Sequence, residues 1–157
     1  GAVTVGMTGS EIVTDSAEAT AREGRRLAAR LKAGDIVTLT GPLGTGKTVF
    51  VRGLASGMGI DSREVHSPSF TIVSEYGPAA SGRRLVHVDL YRIDSAAEIE
   101  DLGLADYLSG DRVIAVEWGE KLPERLRRGA VLVTLEDAGG DLRRLMISPA
   151  GSWGLPG

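Results

Sequence analysis

The segment Gly41-Pro42-Leu43-Gly44-Thr45-Gly46-Lys47-Thr48 constrains the fold more than any other stretch of this chain. It follows Ile36 to Thr40, a β-branched run that reads as a buried strand. It precedes Val49 to Met58, where Val51, Leu54, Ala55 and Met58 share one helical face and Gly57 and Gly59 close the helix. Between a strand and a helix, the spacing Gly41-x-x-x-x-Gly46-Lys47-Thr48 makes the phosphate cradle called a P-loop. Glycines let successive backbone N–H groups turn inward around phosphate oxygens, where a side chain would block the approach. The helix that follows aims its free N–H groups and positive dipole end at the same anion. All eight residues from Gly41 to Thr48 are therefore expected to bind a nucleotide, with Lys47 reaching the β- and γ-phosphates and the Thr48 hydroxyl ligating Mg²⁺. With 22 glycines and 3 lysines in 157 residues, a random window matches at roughly 5 × 10⁻⁵, so a chance occurrence in the chain stays under ~1%.

A P-loop needs a carboxylate near its Mg²⁺, usually at the carboxyl end of a neighbouring apolar strand. Two strands have that form: Leu85-Val86-His87-Val88-Asp89 and Val113-Ile114-Ala115-Val116-Glu117. One of Asp89 and Glu117 is expected to bind the metal, directly or through water, and the other to bind metal or orient the attacking water; the residues themselves leave that assignment open. Lys47, Asp89 and Glu117 are thus the candidate catalytic set. His87 alternates with Val86 and Val88 and faces away from them, which suggests a surface or core role rather than catalysis. Trp118 follows Glu117 and can wall the site, pack in the core or contact a partner. Ser67-Pro68-Ser69-Phe70-Thr71 has the position of a nucleotide-dependent switch, with Ser67, Ser69 and Thr71 as candidate hydroxyls; a proline-set turn into a strand explains it equally well.

The rest of the chain completes an α/β pattern. A helix is expected from a capping box of Asp15 and Glu18 to Gly34, with Ala19, Ala21, Leu27, Ala28 and Leu31 inward. Thr71 to Tyr76 and Leu85 to Asp89 read as an antiparallel hairpin, and Ser95-Ala96-Ala97-Glu98 opens a short helix, with Leu104 to Leu108 helical after Gly103. Glu120 to Leu126 reads as a short helix with an internal proline, and Ala130 to Leu135 with Leu142 to Ile147 as a second hairpin. The expected fold is a three-layer P-loop NTPase-like domain with a mixed parallel/antiparallel sheet over residues 11–150, with 1–10 and 151–157 as flexible tails.

Composition narrows the chemistry. No cysteine and two histidines exclude thiolate and histidine-rich metal centres, leaving a hard, oxygen-bound cation. A net charge of −3 argues against a surface that grips nucleic acid throughout. No apolar run reaches the ~18 residues of a membrane span and no signal peptide is evident, so no membrane contact and a cytoplasmic location are expected.

Several blocks together resemble the TsaE (YjeE) family, the small bacterial P-loop ATPases of tRNA threonylcarbamoyladenosine biosynthesis. They are Gly41 to Thr48, Ser67-Pro68-Ser69-Phe70-Thr71, His87-Val88-Asp89-Leu90-Tyr91-Arg92, Glu98 through Leu102-Gly103-Leu104 to Tyr107-Leu108, and Val116-Glu117-Trp118. The resemblance implies a protein that binds and slowly hydrolyses ATP to ADP with Mg²⁺ and works with the TsaD–TsaB heterodimer. That heterodimer transfers a threonylcarbamoyl group to the tRNA adenosine next to the anticodon, so tRNA contact would be indirect or shared. It further implies that Gly44 to Thr48 bind phosphates, that Thr48 and Glu117 serve Mg²⁺, that Asp89 is the Walker-B-like acid, that Ser16 and Ala17 lie near the base, and that Trp118 sits beside the nucleotide or the partner. Two positions depart from the family pattern. Ser69 stands where Thr is usual and keeps a hydroxyl; Pro42 stands where an acid is usual and stiffens the loop.

Two other readings fit a P-loop chain of this size. A small-molecule kinase would need an acceptor pocket and an arginine-bearing lid, for which Arg125, Arg127 and Arg128 are the candidates. A nucleotide-gated binding module would use the same cradle without significant turnover.

Overall fold

The β-branched run before the glycine-rich loop forms β2 (Ile36–Thr40), and it lies in the middle of the sheet. In the computed structural model, which describes residues 9–42, 44–68 and 71–151, six further strands join it: β1 (Ser10–Thr14), β3 (Val73–Tyr76), β4 (Arg84–Asp89), β5 (Arg112–Glu117), β6 (Val131–Asp137) and β7 (Arg143–Ser148). The order is β1-β7-β6-β2-β5-β4-β3. β6, β2, β5 and β4 run parallel, and antiparallel pairs close both sides, β3 against β4 and β7 against β6 and β1. Both expected hairpins and the mixed sheet are present. Parallel strands put their carboxyl ends on one edge, and Asp89 pairs in register with Glu117 there while Leu39 pairs with Glu117 from the other side.

Helices α1 (Ala17–Ala28) and α2 (Lys47–Gly57) cover one face of the sheet. The other face packs against α3 (Ala96–Asp101), the 3₁₀ turns at Leu104–Leu108 and Gly119–Lys121, and the region of α4 (Glu124–Arg127). Strand alternation supplies both cores: Val113 and Ala115 point to the α1/α2 side, Ile114 and Val116 to the other. Phe50 of α2 is completely buried, a contribution of about 2 to 3 kcal/mol at the usual area coefficient. The two helices meet backbone to backbone at glycines. A Cβ on Gly53 would lie 1.9 Å from the Ala21 carbonyl oxygen, and one on Gly24 would lie 2.3 Å from that of Phe50, so side-chain-free surface lets α2 sit close enough to aim its N-terminus over the sheet edge.

Several boundaries differ from expectation. The cap of α1 is Ser16, whose hydroxyl accepts from the Ala19 N–H at 3.0 Å, rather than Asp15. That helix ends at Ala28, not at Gly34; Leu31 is still buried, but from the turn that leads through Gly34 (φ +87°) into β2. β1 begins at Ser10, inside the expected leader, and carries no local strand signal, because Glu11 to Thr14 finds its partners on β7, over 120 residues away. Pro123 divides the expected 120–126 helix into a 3₁₀ turn and a one-turn helix. The Ser95 cap on α3 holds as read, with its hydroxyl accepting from the Glu98 N–H. Residues 1–8 and 152–157, within the proposed tails, lie outside the described residues, as do Leu43, Ser69 and Phe70.

Candidate functional site

The glycine-rich loop leaves β2 at the carboxyl edge and turns directly into α2, whose N-cap is Gly46 in the left-handed region (φ +96°). Gly41 is held as tightly by its surroundings as by its own backbone. Its φ is +141°, and a Cβ there would meet the Leu135 carbonyl oxygen at 2.3 Å. Thr45 stitches the turn through its hydroxyl, which donates to the Pro42 carbonyl at 2.7 Å. The Lys47 ammonium donates to the carbonyls of Gly41 and, at 2.9 Å, Pro42, and lies 4.7 Å over the Trp118 ring. Burial pushes its pKa below the ordinary lysine value, against the opposing pull of Glu117, Glu120 and Asp89.

Beside the lysine, Thr48 Oγ1 donates to Glu117 Oε2 at 3.0 Å. Glu117 is buried, and the same Oε2 lies 2.6 Å from Nε2 of the completely buried His87. Asp89, one strand over, accepts the Tyr91 N–H at 2.9 Å through Oδ1. Its own N–H donates to the Ile72 carbonyl at 2.9 Å, and the Ile72 N–H donates to the Pro68 carbonyl at 2.7 Å, so two backbone bonds link Pro68 to Asp89 through Ile72.

Two non-glycine residues adopt left-handed backbone here, Ile72 (φ +66°) and Trp118 (φ +62°), a conformation that bulky residues rarely take without support from their surroundings. The support at Trp118 is visible. Its N–H donates to the Leu39 carbonyl at 2.9 Å, and Gly119 backs so closely onto Thr38 that a Cβ would come within 2.4 Å of the threonine Cβ. The turn swings the indole over Lys47 and against Tyr91, with ring centroids 5.2 Å apart. Lys121 braces the same corner by donating to the Tyr91 and Ile93 carbonyls at 3.0 and 2.9 Å.

These groups line a cleft of about 440 Å³, in which Gly44, Gly46, Lys47, Thr48, Ser67, Asp89, Glu117 and Trp118 come together with Tyr91 and Arg92. A second hollow of about 400 Å³ continues across the loop, sharing Gly44, Gly46 and Val49, and is lined by Ser16, Ala17, Thr20, Asp141 and Arg143. Ala17 and Thr45 thus lie on this second side. Thr71 lines neither hollow; its hydroxyl is engaged with that of Ser74 at 3.2 Å. The candidate lid arginines stand elsewhere: Arg125 pairs with Glu100, Arg128 with Glu124, and Arg127 donates to the Glu120 carbonyl. None of the three borders the cleft, so the lid expected of a kinase is not formed by them.

Sequence reasoning did not find the partner of His87, although the pleat that turns it from Val86 and Val88 also puts it on the side of Asp89. Nor did it place Asp141 and Arg143 beside Ala17, since only the pairing of β7 with β1 brings that hairpin to the start of α1. Among the described residues no group of three or more histidines and carboxylates forms a metal cage. The donors present, one hydroxyl and two strand-end carboxylates, suit a Mg²⁺ that keeps most of its ligands from water and phosphate.

A family profile described as threonylcarbamoyl adenosine biosynthesis protein TsaE matches residues 14–145. The tRNA threonylcarbamoyladenosine biosynthesis protein TsaE of Bacillus subtilis is 42% identical over 125 residues, spanning 80% of this chain and 76% of its own length. That of Streptomyces coelicolor is 46% identical over 119 residues, spanning 75% and 79%. The crystal structure of Bacillus subtilis YdiB superposes with a TM-score of 0.70 at 32% identity, covering 91% of this chain and 86% of that one. The likeness extends over most of the sequence and over the fold, and the chain belongs to the TsaE family.

Proposed function

We propose that this protein acts in tRNA threonylcarbamoyladenosine biosynthesis as a Mg²⁺-dependent ATPase, slow by itself and activated by the TsaD–TsaB heterodimer, without performing the transfer. The pathway follows from the names its relatives carry. The observation that carries the chemistry is the Thr48–Glu117 hydrogen bond beside Lys47 at the mouth of the glycine-rich loop. A threonine hydroxyl that ligates a cation must give its proton to another acceptor, and Glu117 is that acceptor, which leaves the oxygen lone pairs of Thr48 for the metal.

In this reading the loop amides and the α2 N-terminus hold the phosphate chain, and Lys47 places a positive charge on the oxygens where charge develops. Mg²⁺, when bound, neutralises the β- and γ-phosphates. Asp89 and Glu117, adjacent in register, divide two tasks between them: holding the cation's water shell and orienting the water that attacks the γ-phosphate. Trp118 and Tyr91 wall the cleft beside Lys47, where the γ-phosphate would lie, and the hollow beside Ser16, Ala17 and Thr20 would take the base. A formal charge of −3 suits a component whose tRNA contact is indirect. Among the described residues no helix is long and apolar enough to cross a membrane.

The test is phosphate release from Mg·ATP with and without TsaD–TsaB. Strong stimulation by the heterodimer, lost in Lys47→Ala and Glu117→Ala, supports the assignment. Stimulation that survives in both variants, or none in the wild type, refutes it.

A further inference from the structure

His87 sits on the α1/α2 face of β4, two residues before Asp89, with no exposed surface. Its Nε2 contacts Glu117 Oε2 at 2.6 Å, the oxygen that also receives the Thr48 hydroxyl. An ionised carboxylate can only accept, so the proton in this contact belongs to Nε2. The other ring nitrogen, Nδ1, is buried without a hydrogen-bond partner among the described residues. A proton there would be a buried donor with nothing to receive it, so the ring's one hydrogen-bonding role in this structure is the contact through Nε2. A hydrocarbon side chain at this position would leave no orphaned atom. Holding Glu117 is what the imidazole adds.

We propose that His87 is a positioning residue for the metal pole of the site. Its Nε2–H fixes the Glu117 carboxylate so that Oε2 faces Thr48, and Thr48 in turn presents its lone pairs outward to a divalent cation. Three residues from three elements form this relay: β4 supplies His87, β5 supplies Glu117 and the first turn of α2 supplies Thr48. Only Thr48 and Glu117 reach the cleft; His87 acts through them. Partners that orient a metal ligand in this way typically change metal affinity by 10- to 100-fold when removed. The proposal rests on the Mg·nucleotide reading above and adds the residue that sets its metal dependence.

The experiment is calorimetric titration of ADP into the full chain, in excess EDTA and across a Mg²⁺ series, for wild type, His87→Phe, His87→Gln, Glu117→Ala and the His87→Phe/Glu117→Ala double variant. His87→Phe is expected to raise the Mg²⁺ concentration for half-maximal enhancement roughly 10- to 100-fold while leaving ADP affinity in EDTA unchanged. His87→Gln, whose amide N–H can donate from nearly the same place, should recover most of the loss, and His87→Phe should add nothing once Glu117 is gone. A wild-type Mg²⁺ midpoint in His87→Phe overturns the proposal, as does His87→Gln shifted equally far at an unchanged melting temperature. If His87→Phe shows no cooperative melt, His87→Met, which packs without a donor, takes its place. Should wild type bind no ADP under either condition, the nucleotide reading itself fails. Mg²⁺-dependent binding that His87→Phe preserves defeats the positioning role alone.

Discussion

Along β4 the residues facing α1 and α2 run Leu85, His87, Asp89, whereas Val86 and Val88 face the opposite layer; along β5 they run Val113, Ala115, Glu117 against Ile114 and Val116. One face is apolar throughout. The other changes from apolar to charged toward the carboxyl ends, where α2 begins and where a parallel sheet leaves a crevice. The desolvated polar groups of the site, Lys47, His87, Asp89 and Glu117, therefore gather at one end of one face. The apolar ends of the same strands and the glycine contact between α1 and α2 hold them in place.

This division predicts that substitutions at the charged end alter ligand binding and that substitutions elsewhere alter stability. The largest effect is expected from Lys47→Ala, which should weaken nucleotide binding about 1,000-fold, or ~4 kcal/mol, by removing the charge among the phosphate oxygens, with no loss of melting temperature. Gly53→Ala should do the reverse, costing about 3 kcal/mol in urea unfolding because its Cβ meets the Ala21 carbonyl at 1.9 Å and the helices must separate. Adjacent residues on β5 sharpen the contrast. Val116→Ala opens a cavity in the apolar face worth about 2 kcal/mol without changing Mg²⁺ dependence, whereas Glu117→Gln should lose Mg²⁺ dependence with stability within about 1 kcal/mol of wild type.

Away from both faces, Asp61 caps the 3₁₀ turn after α2, and hydrogen bonds from the Arg63 side chain and backbone lower its pKa to about 2. A carboxylate depressed in the fold adds stability above its ordinary value of 3.8, and that contribution is lost as pH falls through about 2. Asp61→Asn should lower the melting temperature slightly above pH 3.8 and converge on wild type as pH falls to about 2, the smallest change of the series, visible in melting temperature against pH.

Local signals made the loop, the central strands and both strand-end acids legible, because each depends on residues adjacent in sequence. The same was true of the Ser95 cap. What escaped depends on partners distant in sequence. β1 is a strand because β7 pairs with it, and Leu31 is buried although the helix has already stopped at Ala28. Pleat geometry gave the face of His87, but the role of that side chain lies in a carboxylate 30 residues away. The preference for Ser16 over Asp15 as cap turned on one residue of register, which either hydroxyl or carboxylate chemistry satisfies in sequence.

If the charged end of the α1/α2 face is the proposed Mg·nucleotide site, its affinity depends on Lys47 at the mouth of the glycine-rich loop. Calorimetric titration of Mg·ADP into wild type and Lys47→Ala tests it most directly. Saturable binding at one site per chain is expected for the wild type, and none measurable for the variant at an unchanged melting temperature. Equal binding by both proteins, or no heat with either, would contradict it.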